Sequence, residues 1–380
     1  MRHVYVHVPF CRRRCAYCDF AIAVRRRIPA EEYVAAVVRE LALVGAALPA
    51  DADGGLETIY LGGGTPSLLP PDAVHRLLDA LRETFRTPHS AIAAGPEITL
   101  EANPDDVTPA AAQAWRRAGV NRVSLGAQSF DDRALVWMRR SHGAARIGAA
   151  VAALRDAGIG NVSLDLIFAL PPELGRDWER DLDCALALEP AHLSLYGLTV
   201  EDRTPLARWV ARGAVRPSDD ERYAAEYLRA HERLARAGYR FYEVSNAARP
   251  GCESRHNRAY WSGRPYLGLG PAAHSFDGRT RRWNVAGWTA YARALAAGRS
   301  PVAGQEALSD AARTLERVYL ALRTADGLAA ADLPQAPASL APWERAGWVV
   351  RRDGRLRCTP EGWLRLDALV AGLTRNAPVA

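Results

Sequence analysis

Six short runs rich in β-branched and aromatic residues punctuate the first 200 positions of this chain, separated by alanine-rich helical patterns. No other feature constrains the fold as strongly. The strand candidates are 3–8, 57–62, 97–102, 121–126, 161–170 and 191–198. Helical patterns fall at 31–48, 71–86, 109–118, 131–157 and 176–188, the fourth broken near Ser141-His142-Gly143. Strands joined through helices pair in parallel with right-handed crossovers. Polar residues crowd the C-terminal end of nearly every strand, the end where βα architectures place their chemistry, which favours a barrel or open barrel over a flat sheet. Beyond Glu201 the rhythm changes to a helix (219–237), a strand (239–246) and a loop rich in His, Trp, Tyr and Gly (250–288). The last stretch reads as helices at 309–325, 328–333 and 339–346, then a two-stranded wing turning at Asp353-Gly354. The expected fold class is α/β. A partial (βα)6 TIM-like barrel occupies 1–205, a smaller α+β capping segment 206–304, and a C-terminal winged-helix-like domain 305–380.

At 380 residues and 49% hydrophobic the chain can bury a large core. No apolar run approaches the roughly 20 residues of a membrane span, and the N-terminal "MRHVYVHVPF" lacks a secretory signal's apolar stretch. A cytoplasmic protein is expected. The formal charge is +6 and every basic residue counted is arginine, since the sequence contains no lysine. With alanine so abundant, this reads as composition bias rather than a nucleic-acid footprint. The short, proline-interrupted C-terminal helices are not markedly basic either, so no nucleic-acid partner is expected.

Chemistry enters at "HVPFCRRRCAYCDF", where Cys11, Cys15 and Cys18 occupy a loop after the first strand. Thiolates at this spacing bind zinc or iron–sulfur clusters. Three ligands leave two readings open: a structural zinc completed by another residue such as His7 or His274, or a [4Fe–4S] cluster with one free iron. The remaining cysteines, Cys184, Cys252 and Cys358, lie far apart and suggest no disulfide framework.

C-x-x-x-C-x-x-C after an N-terminal strand, with Tyr17 before the third cysteine, resembles the radical S-adenosylmethionine (SAM) superfamily. "LGGGTP" (61–66), "EANP" (101–104), "SLGAQSF" (124–130), "RRSH" (139–142) and "SLDLIFALP" (163–171) continue the likeness. The resemblance implies a radical-SAM barrel holding a [4Fe–4S] cluster on Cys11, Cys15 and Cys18, whose open iron chelates SAM. It further implies SAM contacts from Tyr5, Tyr17, Gly63, Gly64, Thr65, Glu101, Gln128, Arg140 and Asp165, with His142 beside them.

Within that superfamily the whole chain is similar to the oxygen-independent coproporphyrinogen III oxidases, with two departures. Those enzymes carry a fourth cysteine in C-x-x-x-C-x-x-C-x-C, where this chain has Phe20 after Asp19. They also carry an N-terminal extension, for which the ten residues before Cys11 leave no room. Both favour the family's haem chaperone branch (HemW type), whose H-N-x-x-Y-W motif matches His256-Asn257-Arg258-Ala259-Tyr260-Trp261. That resemblance implies haem at His256, Asn257, Tyr260 and Trp261, with His256 on the iron and His274 and Cys252 as rival ligands. It implies a membrane-associated haem-acceptor protein, a homodimer, and a cytoplasmic chain peripheral at the inner membrane. The alternatives are radical decarboxylation of coproporphyrinogen propionates to vinyls, and a structural zinc protein that binds DNA.

Overall fold

The computed structural model describes residues 1–45, 55–86, 95–333 and 340–374. Strands β1 (His3–Val8), β2 (Thr58–Gly63), β3 (Glu97–Ala102), β4 (Arg122–Gln128), β5 (Asn161–Phe168) and β6 (His192–Gly197) lie side by side in sequence order, all parallel. The hairpin of β7 (Arg240–Glu243) and β8 (Asn246–Ala248) continues the sheet antiparallel beyond β6. At the other edge β9 (Leu267–Leu269) pairs in parallel with β1. The result is one nine-stranded, mostly parallel sheet.

The two faces of this sheet are chemically opposite. Val4, Val6, Val8, Ile59, Leu61, Ile98, Leu100, Val123, Leu125, Val162 and Leu164 are all buried in the main core. The same core takes in α1 (Ala30–Gly45), α2 (Pro71–Thr84), α3 (Pro109–Ala118), α5 (Ala144–Asp156) and α6 (Trp178–Ala187). The alternate positions are Tyr5, His7, Tyr60, Thr99, Glu101, Ser124, Ser163 and Asp165. Parallel strands covered on both faces ordinarily read apolar throughout, so a polar alternate face marks a functional interior. The helices start where capping chemistry allows. Thr108, Asp131 and Asp177 each accept a backbone N–H at the starts of α3, α4 (Asp132–Trp137) and α6.

Two expected elements, the strand at 239–246 and the helix at 328–333, and the loop expected at 250–288 need correction. Residues 239–246 form no single strand, because a two-residue turn at Val244-Ser245 folds them into β7 and the start of β8. The stretch 250–288, expected as loop, contains α9 (Arg255–Trp261), β9, β10 (His274–Phe276) and β11 (Thr280–Asn284), the last two joined in a sheet with β12 (Val302–Ala307). Two further helices are α7 (Pro205–Ala211), which precedes α8 (Asp220–Arg236), and α10 (Trp288–Ala296), which lies between β11 and β12. In place of a helix at 328–333 stand β13 (Leu328–Ala329) and one 3-10 turn. The end of the first helical pattern, 46–48, lies outside the described residues.

At the C-terminal end α11 (Asp310–Arg323) and α12 (Leu340–Arg345) precede a sheet in which β15 (Arg355–Cys358) pairs with both β13 and β14 (Val349–Arg352). Asp353 and Gly354 both adopt positive φ, 52° and 69°, as the tightest hairpin turns require. Helices α13 (Pro360–Trp363) and α14 (Leu366–Thr374) close the end, and Trp363 donates its indole N–H to the Leu322 carbonyl at 3.0 Å. No helix among the described residues is long and apolar enough to cross a membrane.

Candidate functional site

The cysteine loop is pinned at both ends and in the middle. Phe10 and Cys11 leave β1 and pair with Ala23 and Val24, so the chain returns beside its own start. Midway, Ala16 donates to Met138 O at 3.1 Å and accepts from the Leu206 N–H at 2.9 Å, tying the loop to the end of α4 and to α7. Cys11, Cys15 and Cys18 therefore line one cavity of about 420 Å³ over the C-terminal ends of β1–β6. Among the described residues no three His, Cys, Asp or Glu side chains converge on a single-ion site. Three thiols sharing a cavity wall fit a cluster, whose ligands stand further apart than those of one ion. Burial pushes the Cys11 thiol up and the Cys18 thiol up to about 11.

Facing the thiols is the turn at the end of β2. Gly63 has φ +111°, and a Cβ on Gly64 would lie 2.8–2.9 Å from the Pro9 and Phe10 backbone, so both positions demand glycine. Thr65 Oγ1 lies 3.4 Å from Cys11 Sγ. Glu101, at the end of β3, accepts the Tyr60 hydroxyl at 2.8 Å and the Gly63 N–H at 2.9 Å. Burial, the neighbouring Asp165 adding to it, pushes its carboxyl up to about 7 against those two hydrogen bonds. Asp165 receives the Ser124 hydroxyl at 2.9 Å, and its pKa is raised by burial. Arg140 reaches across the cavity. Its guanidinium donates to Gly126 O at 3.0 Å, to Asn103 Oδ1, and to Cys15 Sγ at 3.5 Å.

Of the residues expected to contact SAM, Tyr17, Gly63, Gly64, Thr65, Glu101, Gln128, Arg140 and Asp165 all line this cavity. Tyr5 does not: it sits one layer deeper, its hydroxyl 3.1 Å from His7 Nδ1. His7 spends its other nitrogen on the Ala21 carbonyl at 3.1 Å, and His142 is buried with Nε2 on the Ala127 carbonyl. Both imidazoles hold backbone. Asn103, Ser124, Tyr196 and Glu201 are among the further lining residues that the motifs do not single out. The end-of-strand rule that singled out Asp165 applies equally to Tyr196 in β6.

The H-N-x-x-Y-W motif forms α9 at the opposite, N-terminal end of the strands. Ser254 caps the helix on the Asn257 N–H, and the Glu97 carboxylate accepts the Arg255 and His256 N–H groups at 3.0 and 3.1 Å. His256 is 1% exposed, its Nδ1 2.7 Å from Thr58 Oγ1, and its ring is enclosed by Tyr60, Tyr5 and Tyr260. Its Nε2 has no hydrogen-bond partner among the described residues. Asn257 lies near Tyr242, whose hydroxyl is 2.9 Å from His192 Nε2. Trp261 lies under the Arg323 guanidinium, 4.2 Å away, and with Arg258 borders a second cavity of about 610 Å³ against α11. Of the rival ligands, His274 is exposed and stacked on Trp283, and Cys252 is half-buried.

Comparison with known proteins adds what geometry alone does not. The family model of the Radical SAM superfamily matches residues 5–185, and that of the HemN C-terminal domain matches 308–365. Over 374 residues, 97% of this chain and 94% of the relative, the sequence is 40% identical to heme chaperone HemW of Mycobacterium tuberculosis. The chain belongs to the HemW haem chaperone family. Heme chaperone HemW of Escherichia coli is 37% identical over 73% of this chain and 72% of its own length. The bovine mitochondrial radical S-adenosyl methionine domain-containing protein 1 is 33% identical over 97% of this chain and 86% of its own. Coproporphyrinogen III oxidase (HemN) from Escherichia coli, a radical SAM enzyme, shares the fold with a TM-score of 0.79. At 22% identity over 98% of this chain and 89% of that one, the likeness extends to fold alone. The family read from the sequence motifs is borne out.

Proposed function

We propose that this member of the HemW family receives haem and passes it to an acceptor haem protein, on a scaffold that holds a [4Fe–4S] cluster and SAM. The partial barrel is assigned to 1–205, the capping segment to 206–304 and a winged-helix-like domain to 305–380. Cys11, Cys15 and Cys18 hold the cluster. Tyr17, Gly63, Gly64, Thr65, Glu101, Gln128, Arg140 and Asp165 hold SAM, with Tyr5 supporting them from the layer below. The bound cluster and SAM supply one-electron chemistry. The protein's own part is electrostatic and steric: Arg140 brings a positive charge to the Cys15 sulfur, and Gly63 and Gly64 let backbone approach a ligand. In the enclosed floor, Glu101 and Asp165 offer acceptors to an amine or hydroxyl.

Haem is assigned to α9, with Asn257, Tyr260 and Trp261 around His256. Because His256 is enclosed between Tyr60 and Tyr260, it reaches an iron only when α9 leaves the sheet. That displacement suits a carrier that must also release its cargo. The acceptor is a membrane-associated haem protein, met by a cytoplasmic dimer of this chain peripheral at the inner membrane.

The observation that favours carriage over conversion is Phe20, 59% exposed at the rim of the cysteine cavity, where the similar oxidases continue to a fourth cysteine. Haem titration of the wild-type protein against His256→Ala tests the ligand. A lost or displaced Soret band in the variant supports His256, and an unchanged spectrum and stoichiometry removes it. An anaerobic assay of the reconstituted protein with coproporphyrinogen III separates the two activities, since vinyl-bearing product over many turnovers would overturn the chaperone reading.

A further inference from the structure

The two motifs, at opposite ends of the sheet, are joined through the interior by a chain of contacts one side chain thick. The inward residues of β1–β3 stack in layers: His3, Thr58 and Glu97 at the bottom, then Tyr5, Tyr60 and Thr99, then His7, Gly62 and Glu101. Helix α9 seals the bottom layer. Thr58 and Tyr60 are two residues apart and share one face of β2. His256 grips both, with Nδ1 2.7 Å from Thr58 Oγ1 and its ring centroid 5.1 Å from that of Tyr60 at an interplanar angle of 32°. Tyr60 then reaches up to donate its hydroxyl to Glu101 Oε1 at 2.8 Å, and Glu101 Oε2 accepts the Gly63 N–H.

There is no slack in this stack. A Cβ added at Gly62 would lie 2.8 Å from the Tyr60 ring, 2.9 Å from the Tyr5 ring and 3.1 Å from Glu101 Oε1. A shift of Tyr60 therefore moves Glu101, and Glu101 carries the Gly63 turn with it. We propose that His256 is a positioning residue for the SAM cavity, setting Glu101 and the Gly63 turn through Tyr60. Burial pushes its pKa down to about 3, so the imidazole is neutral and acts through shape and one hydrogen bond rather than charge. The inference rests on the SAM assignment above and concerns the protein with α9 seated on the sheet.

The test is SAM affinity of the anaerobically reconstituted full chain, by equilibrium dialysis, together with the change SAM induces in the EPR spectrum of the reduced cluster. Tyr60→Phe keeps the ring and removes the hydroxyl on Glu101, so SAM should bind about tenfold more weakly. His256→Ala should weaken it by a similar factor and blunt the EPR change. His256→Phe, which restores a ring against Tyr60 but not the bond to Thr58, should recover only part of the loss. The double variant of His256→Ala with Tyr60→Phe should bind no more weakly than the worse single one, because both act on one chain of contacts. Should His256→Ala fold poorly, Thr58→Val releases Nδ1 at nearly constant volume and should lower affinity severalfold. Wild-type affinity and EPR response in His256→Ala, or in Thr58→Val if that is the variant measured, overturns the proposal. Failure of the wild-type protein itself to bind SAM overturns the SAM assignment instead.

Discussion

The two ends of the parallel sheet carry motifs of similar length and lead to opposite kinds of surface. At the C-terminal end the cysteines, the glycine turn and the polar strand ends face a cavity, with half-buried thiols and carboxylates. At the N-terminal end the haem-type motif is a plug: His256 is 1% exposed, and Ser254 and Glu97 are buried around the start of α9. A loop leaving a strand's C-terminal end has room to open a pocket, because the crossover helices start above it. The opposite end is closed by whatever packs across it, and here α9 does so. Motif chemistry is thus exposed at one end and enclosed at the other, which makes the first a site and the second a part of the wall until it moves.

The comparison breaks most visibly at the cysteines. Cys15→Ala removes one of three thiolates from the open end, and iron and sulfide analysis of the anaerobically reconstituted protein should show nearly all of the cluster lost. Far-UV circular dichroism should remain close to wild type, since Cys15 contributes nothing to the buried core. A full complement of iron in the variant would remove the cluster assignment.

At the closed end the corresponding change is structural. Glu97→Gln weakens acceptance of the Arg255 and His256 N–H groups and of the Ser254 hydroxyl by a 6%-exposed carboxylate. A loss of about 1–3 kcal/mol in denaturant unfolding is expected, the usual range for a buried group left poorly paired. Stability within about 0.5 kcal/mol of wild type, the range of ordinary surface substitutions, would mean that α9 is loosely held and the plug description is wrong.

A further effect concerns pH and sharpens the contrast within the cavity floor. Burial raises the folded-state pKa of Glu101 to about 7, above its ordinary value of 4.5. A raised carboxyl pKa favours folding below the unfolded value, and that contribution is lost as pH rises from there through about 7. Glu101→Gln mimics the protonated form. Thermal unfolding of the cluster-free variant should therefore gain on wild type between pH 5 and pH 8, with the two curves running parallel below pH 4.5. Curves parallel over the whole range would place Glu101 in water.

How much of this was legible depended on element length and on period. Strands β1 and β3 and helix α3 fall on their expected bounds, because alternation over six residues and a Thr108-Pro109 start with Gly119 just past the end are local signals. The same holds for the Asp353-Gly354 turn. Between 250 and 288 the elements are three to seven residues long, too short for any period to declare itself. The aromatic residues there follow tertiary packing instead. Tyr260 sits on Tyr266 and His256, Phe276 under Arg281, and Trp283 over Gly304, where a Cβ would lie 2.5 Å from the indole.

By itself, the sequence determined the order of the first six strands and the helices between them, the cysteine loop, the glycine turn and the polar residues at strand ends, each written within a few consecutive positions. Only the tertiary structure decided that the H-N-x-x-Y-W motif packs across the opposite, N-terminal end of the sheet. His256 lies 198 residues from Thr58 and 159 from Glu97, and the bonds that hold it exist only once β2 and β3 are paired and α9 has folded back beneath them. Side-chain exposure is a property of that packing. For this reason an imidazole that reads as a free ligand in "HNRAYW" is, in the folded protein, a neutral ring set against Tyr60.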